Sequence, residues 1–209
     1  PPDAAGYVHL FGEMNGIKGI RPQKQLEIQP YVVAKTERFQ EEEGNPFRTG
    51  QSSSAAFGLD AKIGVTSDIT LDLTVNPDFG QVEADPSQVN LTAFELFFQE
   101  RRPFFIEGNN TLNFPVSNFN SNNLFYSRRI GRQPQTGANP DQSGGDGVPE
   151  FIKANTRSTI LGAAKLTGKN KQGFSWGILE SVTSLEKATI DSLGYRRKQV
   201  IEPMTNYFA

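Results

Sequence analysis

The feature of this sequence that most constrains its fold is a regular alternation of apolar and polar residues across positions 55–76. Every second residue is apolar on both sides of the turn-like Thr66-Ser67-Asp68. Because successive side chains of a β-strand point to opposite faces, this period predicts two strands joined by a tight turn. The hairpin is expected to carry four apolar side chains on one face: Leu59, Ile63, Leu71 and Leu73.

Two further patterns extend the β assignment. Residues 159–167 and 174–183 flank the polar turn 168–173 and predict a second hairpin. A shorter strand is predicted over residues 26–35, where Pro30 restricts it to a sheet edge or a bulge. With 20 glycines and 13 prolines in the chain, these patterns predict an all-β fold with antiparallel hairpins.

The alternation fits two architectures. In a transmembrane β-barrel the apolar face meets lipid, and the polar side chains line the lumen. The residues expected in the lumen are Asp60, Lys62, Asp72 and Asn76. In a soluble β-sandwich the same apolar face packs against a second sheet. Periodicity alone does not separate an incomplete barrel from the sandwich.

Composition excludes several classes of function. The formal charge is -2, from 21 basic and 23 acidic residues, so the chain lacks the basic excess of a nucleic-acid-binding protein. It has no cysteine, which removes disulfides, thiolate metal sites and cysteine nucleophiles. Its single histidine, His9, excludes sites that need two imidazoles, and no cofactor or metal is predicted. The opening Pro1-Pro2-Asp3, without a methionine, predicts a fragment of a longer protein.

Between the hairpins lies a segment of different character. Nine of the 16 phenylalanines fall between Phe79 and Phe125. Asp85-Pro86 is a typical helix start, and the apolar spacing over residues 87–100 predicts about three helical turns that end before Pro103. We expect this segment to leave the sheet, fold inward and bury five phenylalanines together: Phe94, Phe97, Phe98, Phe104 and Phe105.

These features predict five regions: a junction (1–25), the first barrel strands (26–76), a Phe-rich inserted segment (77–132), a mobile loop (133–150) and further strands that are truncated at the end (151–209).

Carboxylates in the inserted segment offer one candidate chemistry. Glu95, Glu100 and Glu107 could serve a glycan hydrolase that uses paired carboxylates. The structural alternative, which we favour, has Asp85 capping a helix while Glu95 and Glu100 pair with Arg101 and Arg102. Arg101 and Arg102 are then expected to find partners among nearby carboxylates: Asp78, Glu83, Asp85, Glu95 and Glu107.

Two other motifs have a weaker claim to function. Residues 173–177 match G-x-S-x-G, but Ser175 lies in an alternating β pattern without a plausible histidine partner, so no nucleophile is expected there. Arg128, Arg129 and Arg132 could bind phosphate or a carboxylated glycan. We favour a strand end that pairs with upstream acids.

Residues 76–108, NPDFGQVEADPSQVNLTAFELFFQERRPFFIEG, resemble the most characteristic stretch of a family of uncharacterised Gram-negative outer-membrane proteins. The resemblance continues in FYSRRIGR (125–132) and ILGAAKLTG (160–168), and residues 16–20 with 26–31 resemble the family's junction into the barrel. Members often carry an N-terminal family-nine carbohydrate-binding module before a large β-barrel, and some are labelled as membrane-associated hydrolases. That module is absent from these residues.

The resemblance implies a component of an outer-membrane β-barrel: a channel, a receptor or an assembly partner. It would lie in the outer membrane of a Gram-negative bacterium and contact lipid and the remaining strands of its own barrel or of a larger assembly. A glycan ligand stays open, as do a membrane-associated glycan hydrolase and a purely structural subunit. The binding or structural motif is expected at Asp78, Phe79, Glu83, Asp85, Glu95, Arg101, Arg102, Phe104, Phe105, Glu107, Arg128, Arg129 and Arg132.

Overall fold

A computed structural model gives the fold of residues 11, 12, 14–16, 18, 19, 25–77, 99–114, 116, 123–138 and 150–209. The described chain is all-β and antiparallel, as predicted. Its strands are β1 (Leu26–Arg38), β2 (Gln51–Gly64), β3 (Ile69–Val75), β4 (Glu150–Lys153), β5 (Ile160–Lys169), β6 (Ser175–Thr183), β7 (Glu186–Ser192), β8 (Tyr195–Glu202) and β9 (Thr205–Phe208).

Helical structure in the described residues is short. The α-helix α1 (Pro103–Ile106) is followed by two 3₁₀ helices, Asn109–Thr111 and Ser127–Arg129. None of these helices has the length and apolar character needed to cross a bilayer. Pro103 begins α1, because a proline, which has no N–H, suits the first helical position. The helix predicted over residues 87–100 lies almost entirely outside the described residues.

The main sheet has six strands in the order β1-β2-β3-β5-β6-β9. Both predicted hairpins are present, as β2–β3 and β5–β6. In the first hairpin, Ala61 lies opposite Leu73 and Ile63 opposite Leu71. The four apolar side chains predicted to share a face therefore do so. Among the described strands the sheet is open, with β1 and β9 at its edges, which agrees with Pro30 lying on an edge strand.

A second sheet, in the order β4-β7-β8, continues part of the first. Two residues separate β6 from β7, and two separate β8 from β9. Since β6 pairs with β9 and β7 pairs with β8, these four strands form one long hairpin that bends between the two sheets. The hairpin closes at Leu193-Gly194, where both residues have positive φ, as tight β-hairpin turns require.

The main sheet has two unlike ends. At one end, which we call the turn end, residues 65–68 and 170–174 form short turns, and Lys169 N donates to Asp68 O over 3.0 Å. At the other end, the loop end, lie the connection 39–50, the second sheet and the two ends of the inserted segment.

Burial on the main sheet is inverted relative to a water-soluble protein. The outer face, which carries Leu59 and Leu73, leaves its apolar side chains exposed: Phe57 is 77% and Val32 78% exposed. The inner face, which carries Asp72 and Lys165, is covered, with these residues 7% and 1% exposed. The apolar side of the sheet therefore lacks a cover in the described chain, and the charged side has one.

The start of the predicted mobile loop is tied to β8. Gln135 N donates to the Glu202 carboxylate over 2.8 Å, and Thr136 N donates to Ile201 O over 3.3 Å. Residues 139–149 lie outside the described residues.

Candidate functional site

The inner face carries a row of alternating charges set by the strand register. Lys62 of β2 lies opposite Asp72 of β3, and Asp72 lies opposite Lys165 of β5. Lys165 Nζ is 3.4 Å from Asp72 Oδ2, and Lys62 Nζ is 4.0 Å from Asp72 Oδ1. Asp72 Oδ1 is buried without a hydrogen-bond partner among the described residues. We call Lys62, Asp72 and Lys165 the charge row.

The inserted segment lies on the charge row. Lys62 Nζ donates to Glu107 Oε2 over 2.8 Å, and Lys165 Nζ donates to Glu107 O over 2.6 Å. Lys165 also donates to Phe104 O, and its ammonium lies 4.7 Å from the centre of the Phe104 ring. Helix α1 is therefore held to the sheet through its backbone carbonyls as well as through a side chain.

Apolar packing surrounds this polar contact. The buried core joins the inserted segment to the inner face and consists of Phe105, Leu112, Ile130, Ile160 and Leu179. A Cβ at Gly177 would lie 3.3 Å from Leu112 Cδ2 and from Thr111 Cγ2, so the missing side chain lets the segment approach β6 closely. Complete burial of such side chains contributes roughly 1.5–3 kcal/mol each, so the core alone is a firm attachment.

A buried ion pair closes the described part of the segment on itself. Arg102 Nε and Nη2 donate to the Glu100 carboxylate over 2.8 and 2.7 Å. The same guanidinium donates to Ile130 O and Ser127 O, each over 2.7 Å, and stacks 4.2 Å from the Phe105 ring centre. These bonds use four of the five N–H donors of the guanidinium, and two of them connect Arg102 to residues 127 and 130.

The pKa of the Glu100 carboxyl lies below its ordinary value. Burial works against the charged form, but it is outweighed by the hydrogen bonds and charge of Arg102 and by the hydroxyl of Ser127, which donates over 2.5 Å. Glu100 is therefore held as a carboxylate. A general acid for glycoside cleavage needs the opposite shift.

The residues of the inserted segment that the sequence predicted for the site fall into two main groups. Asp78, Phe79, Glu83, Asp85 and Glu95, with Phe94, Phe97 and Phe98, lie outside the described residues. Arg102, Phe104, Phe105 and Glu107 come together on the inner face, and the two phenylalanine rings meet edge to face at 5.1 Å. Arg102 is paired with Glu100, which is the pairing that the favoured structural alternative predicted.

The predicted basic cluster is placed residue by residue. Arg129 lies 6.0 Å from the Tyr126 ring centre, while Arg132 Nη2 is 3.8 Å from the Glu202 carboxylate, near the loop end. Arg128 is half-buried. The favoured pairing with upstream acids does not hold for Arg132, whose acid lies downstream on β8.

Sequence reasoning missed Lys165 as a site residue. It placed Lys62 and Asp72 on the lumen side, and the hairpin pattern over residues 159–167 could have placed Lys165 on the same face. Lys165 is aligned with Asp72 by the pairing of β3 with β5, and the whole inserted segment separates these two strands in the chain. No local sequence pattern therefore predicts this pairing. In the described part of the chain, no three His, Asp or Glu side chains lie close enough together to hold a metal ion.

The fold and the contact between the inserted segment and the charge row define a class of protein. It is an antiparallel all-β protein with an inserted segment packed on the charged face of its main sheet. The family described as "Domain of unknown function (DUF5916)" matches residues 22–208, so the chain belongs to this family. Searches of curated proteins and of solved structures each returned no match.

Proposed function

We propose that this chain forms part of the wall of an outer-membrane β-barrel of a Gram-negative bacterium, with the inserted segment filling the lumen side of that wall. The inverted burial of the main sheet carries the proposal. A sheet that exposes Phe57, Val32 and Leu59 while covering Lys165 and Asp72 fits lipid outside and a polar lumen inside.

The height of the apolar band agrees with a bilayer. On β2 and the residue after it, the outer face is apolar from Ala55 to Val65, ten residue steps that span ~33 Å at ~3.3 Å per residue. With a strand tilt of ~40°, this is ~25 Å along the membrane normal, the height of the apolar band of known barrels. Beyond Ala55 the outer face turns polar at Ser53 and Gln51.

The limit of the apolar band on the loop-end side lies progressively closer to the turn end from β2 to β6. On β2 the outer face stays apolar up to Ala55, but on β6 it meets a charge at Glu180, whose cross-strand row leads through Ala164 and Leu73 to Ala61. Barrel strands tilt by roughly 35–45°, so neighbouring strands are staggered along the membrane normal. A diagonal limit follows from this stagger, and it places Glu180, which accepts from Asn206 over 3.0 Å, at the rim.

The packing of the inserted segment favours a receptor or an assembly component over an open channel. Leu179 of β6 is 0% exposed beneath the segment, Ile130 of the segment is 1% exposed, and the Lys165 ammonium is bound by two carbonyls of the segment. A solute could pass along this wall only if these contacts broke. Remaining strands of the same barrel or of a larger assembly would pair with the open edges of β1 and β9.

An arginine series on the outer face tests the proposal. Leu73→Arg places a charge near the middle of the apolar band, and Ser53→Arg places the same charge on the same face beyond it. In a bilayer, Leu73→Arg should lower the free energy of unfolding by about 2–4 kcal/mol and Ser53→Arg by about 0–1 kcal/mol. We expect Leu73→Arg to abolish the heat-modifiable folded form in the outer-membrane fraction and Ser53→Arg to leave it intact.

Two results would contradict the proposal. Recovery of the unaltered protein in a soluble fraction would favour the β-sandwich, with a second sheet over the outer face. Equal losses of the folded form in Leu73→Arg and Ser53→Arg would show that the outer face is not embedded in a lipid bilayer, where the cost of a charge depends on its depth.

A further inference from the structure

Building on the proposed function, we propose that the loop end of the sheet faces the cell exterior and the turn end faces the periplasm. The inserted segment then enters the lumen from outside and reaches the periplasmic opening at Asn109–Thr111. The structure supports this direction through the lengths of the connections, the position of the polar extensions and the course of the inserted segment.

The connections at the two ends differ in length. The turns 65–68 and 170–174 join their strands directly, whereas residues 39–50 and the whole of 76–149 leave the sheet at the loop end. Outer-membrane barrels have short periplasmic turns and longer extracellular loops. The turn end therefore matches the periplasmic side.

The polar extensions also lie at one end. Strands β1 and β2 continue past the apolar band through Thr36 and Ser53, and the second sheet continues the main sheet with basic residues on β8, Arg196 to Lys198. At the turn end the band stops at the turn itself, where Val65 is still 51% exposed. Within the described residues, only the loop end projects polar β structure beyond the apolar band.

The inserted segment starts and finishes at the loop end. Asn76 N donates to Leu161 O, and Ser158 N donates to Arg132 O, each over 2.9 Å, so its two ends lie beside the start of β5. Between them the chain descends along the inner face to the turn end, where Asn110 and Thr111 line a polar cleft with Ser67 and Asn170. A residue of the inserted segment is thus expected to be accessible from the periplasm.

The absence of cysteine makes this direction measurable, because a single introduced cysteine is the only thiol. Three exposed positions are used: Glu41→Cys at the loop end, Ser67→Cys at the turn end and Asn110→Cys at the tip of the inserted segment. Each variant is produced in a Gram-negative host and treated with a membrane-impermeant maleimide, before and after permeabilisation of the outer membrane. Heat-modifiability confirms that each variant is folded.

We expect Glu41→Cys to label as fully in intact cells as in permeabilised cells. Ser67→Cys and Asn110→Cys should label only after permeabilisation. The reverse pattern, or labelling of none of the three in intact cells, overturns the direction while leaving the protein in the membrane. Labelling of Asn110→Cys in intact cells, with Ser67→Cys protected, overturns the course assigned to the inserted segment. Recovery of the protein as a soluble periplasmic species would instead overturn the proposed function.

Discussion

At the scale of single residues, Lys165 has the most demanding environment in the described chain. Its side chain is 1% exposed, and its charge is balanced by Asp72 and by two carbonyls of the inserted segment. A buried ammonium is tolerated only with such a set of partners. Lys62 makes the neighbouring ion pair at 26% exposure, with a carboxylate that is 54% exposed, and depends much less on it.

We predict that Lys165→Met lowers the free energy of unfolding by about 3–5 kcal/mol, because the buried Asp72 then loses its nearer counter-charge and keeps only Lys62, which lies 4.0 Å away. Lys62→Met, the matched change one strand away, should cost about 0–1 kcal/mol because its ion pair is screened by solvent. Urea unfolding of both variants measures the difference. The addition of Asp72→Leu should recover part of the loss in Lys165→Met, and a strictly additive double variant would contradict the assigned pairing.

The ion pair of Glu100 and Arg102 predicts a dependence on pH. Because the pKa of Glu100 is lower in the folded protein than in the unfolded chain, its carboxylate contributes stability above the ordinary carboxyl pKa of about 4.3. This contribution is lost as the pH falls through the folded value. The difference in unfolding free energy between the unaltered protein and Glu100→Gln should be constant near neutral pH and shrink in acid. A difference that grows on acidification would show that the pKa shift has the opposite sign.

At the scale of elements, the end of β3 fixes where the inserted segment leaves the sheet. Asn76 adopts positive φ there, its side chain donates to Phe57 O over 2.6 Å, and its carbonyl accepts from the Tyr31 hydroxyl over 2.8 Å. The Tyr31 ring crosses β2 at Gly58, where an added Cβ would lie 2.3 Å from the hydroxyl and 2.6 Å from Asn76 O. Three strands are joined at this point.

Gly58→Ala is expected to destabilise the protein by about 1–3 kcal/mol, because the new methyl group forces Tyr31 away and breaks its bond to Asn76. Gly137→Ala is the control, since a Cβ there has open space around it. Denaturant midpoints compare the two, and proteolysis after Asn76 reports loosening of the inserted segment. Equal midpoints for both variants would show that Tyr31 is not locked against β2.

At the scale of the whole molecule, the barrel proposal and the sandwich alternative make opposite demands on the inserted segment. In a barrel the charge row can be hydrated by a lumen, so the wall does not need the segment for its solubility or its closure. In a sandwich-like domain the segment supplies the only core of the described inner face, and its loss exposes Leu179 and Ile160.

Replacement of residues 77–132 by a short glycine–serine linker separates these cases. The linker is feasible because Asn76 and Arg132 both bind the chain next to the start of β5. We predict that the variant still reaches the outer membrane in a heat-modifiable form and gains conductance in planar bilayers relative to the parent, since the lumen side is emptied. Aggregation of the variant without membrane insertion would contradict this prediction.

The sequence by itself was sufficient to predict the first strand, the strands of the two hairpins, the register of the first hairpin and the polarity of its faces. All of these follow from side chains within about twenty residues of one another, where the two-residue period and the turn chemistry act locally. The β2–β3 and β5–β6 hairpins were predicted on this basis, and so was the inward direction of Lys62 and Asp72. The strands after residue 184 were predicted only as a region, because their alternation is interrupted by the bends at 184–185 and 203–204.

Tertiary structure alone decided how distant parts meet. Lys165 enters the charge row through a β3–β5 pairing that spans the inserted segment, and Arg102, which is paired with Glu100, donates to the carbonyl of Ile130. Phe105 of α1 packs in one core with Leu179 of β6, a residue far along the chain. The period-two pattern made one face apolar and the other polar; which face is covered depends on where the inserted segment packs, a contact between residues far apart in the chain.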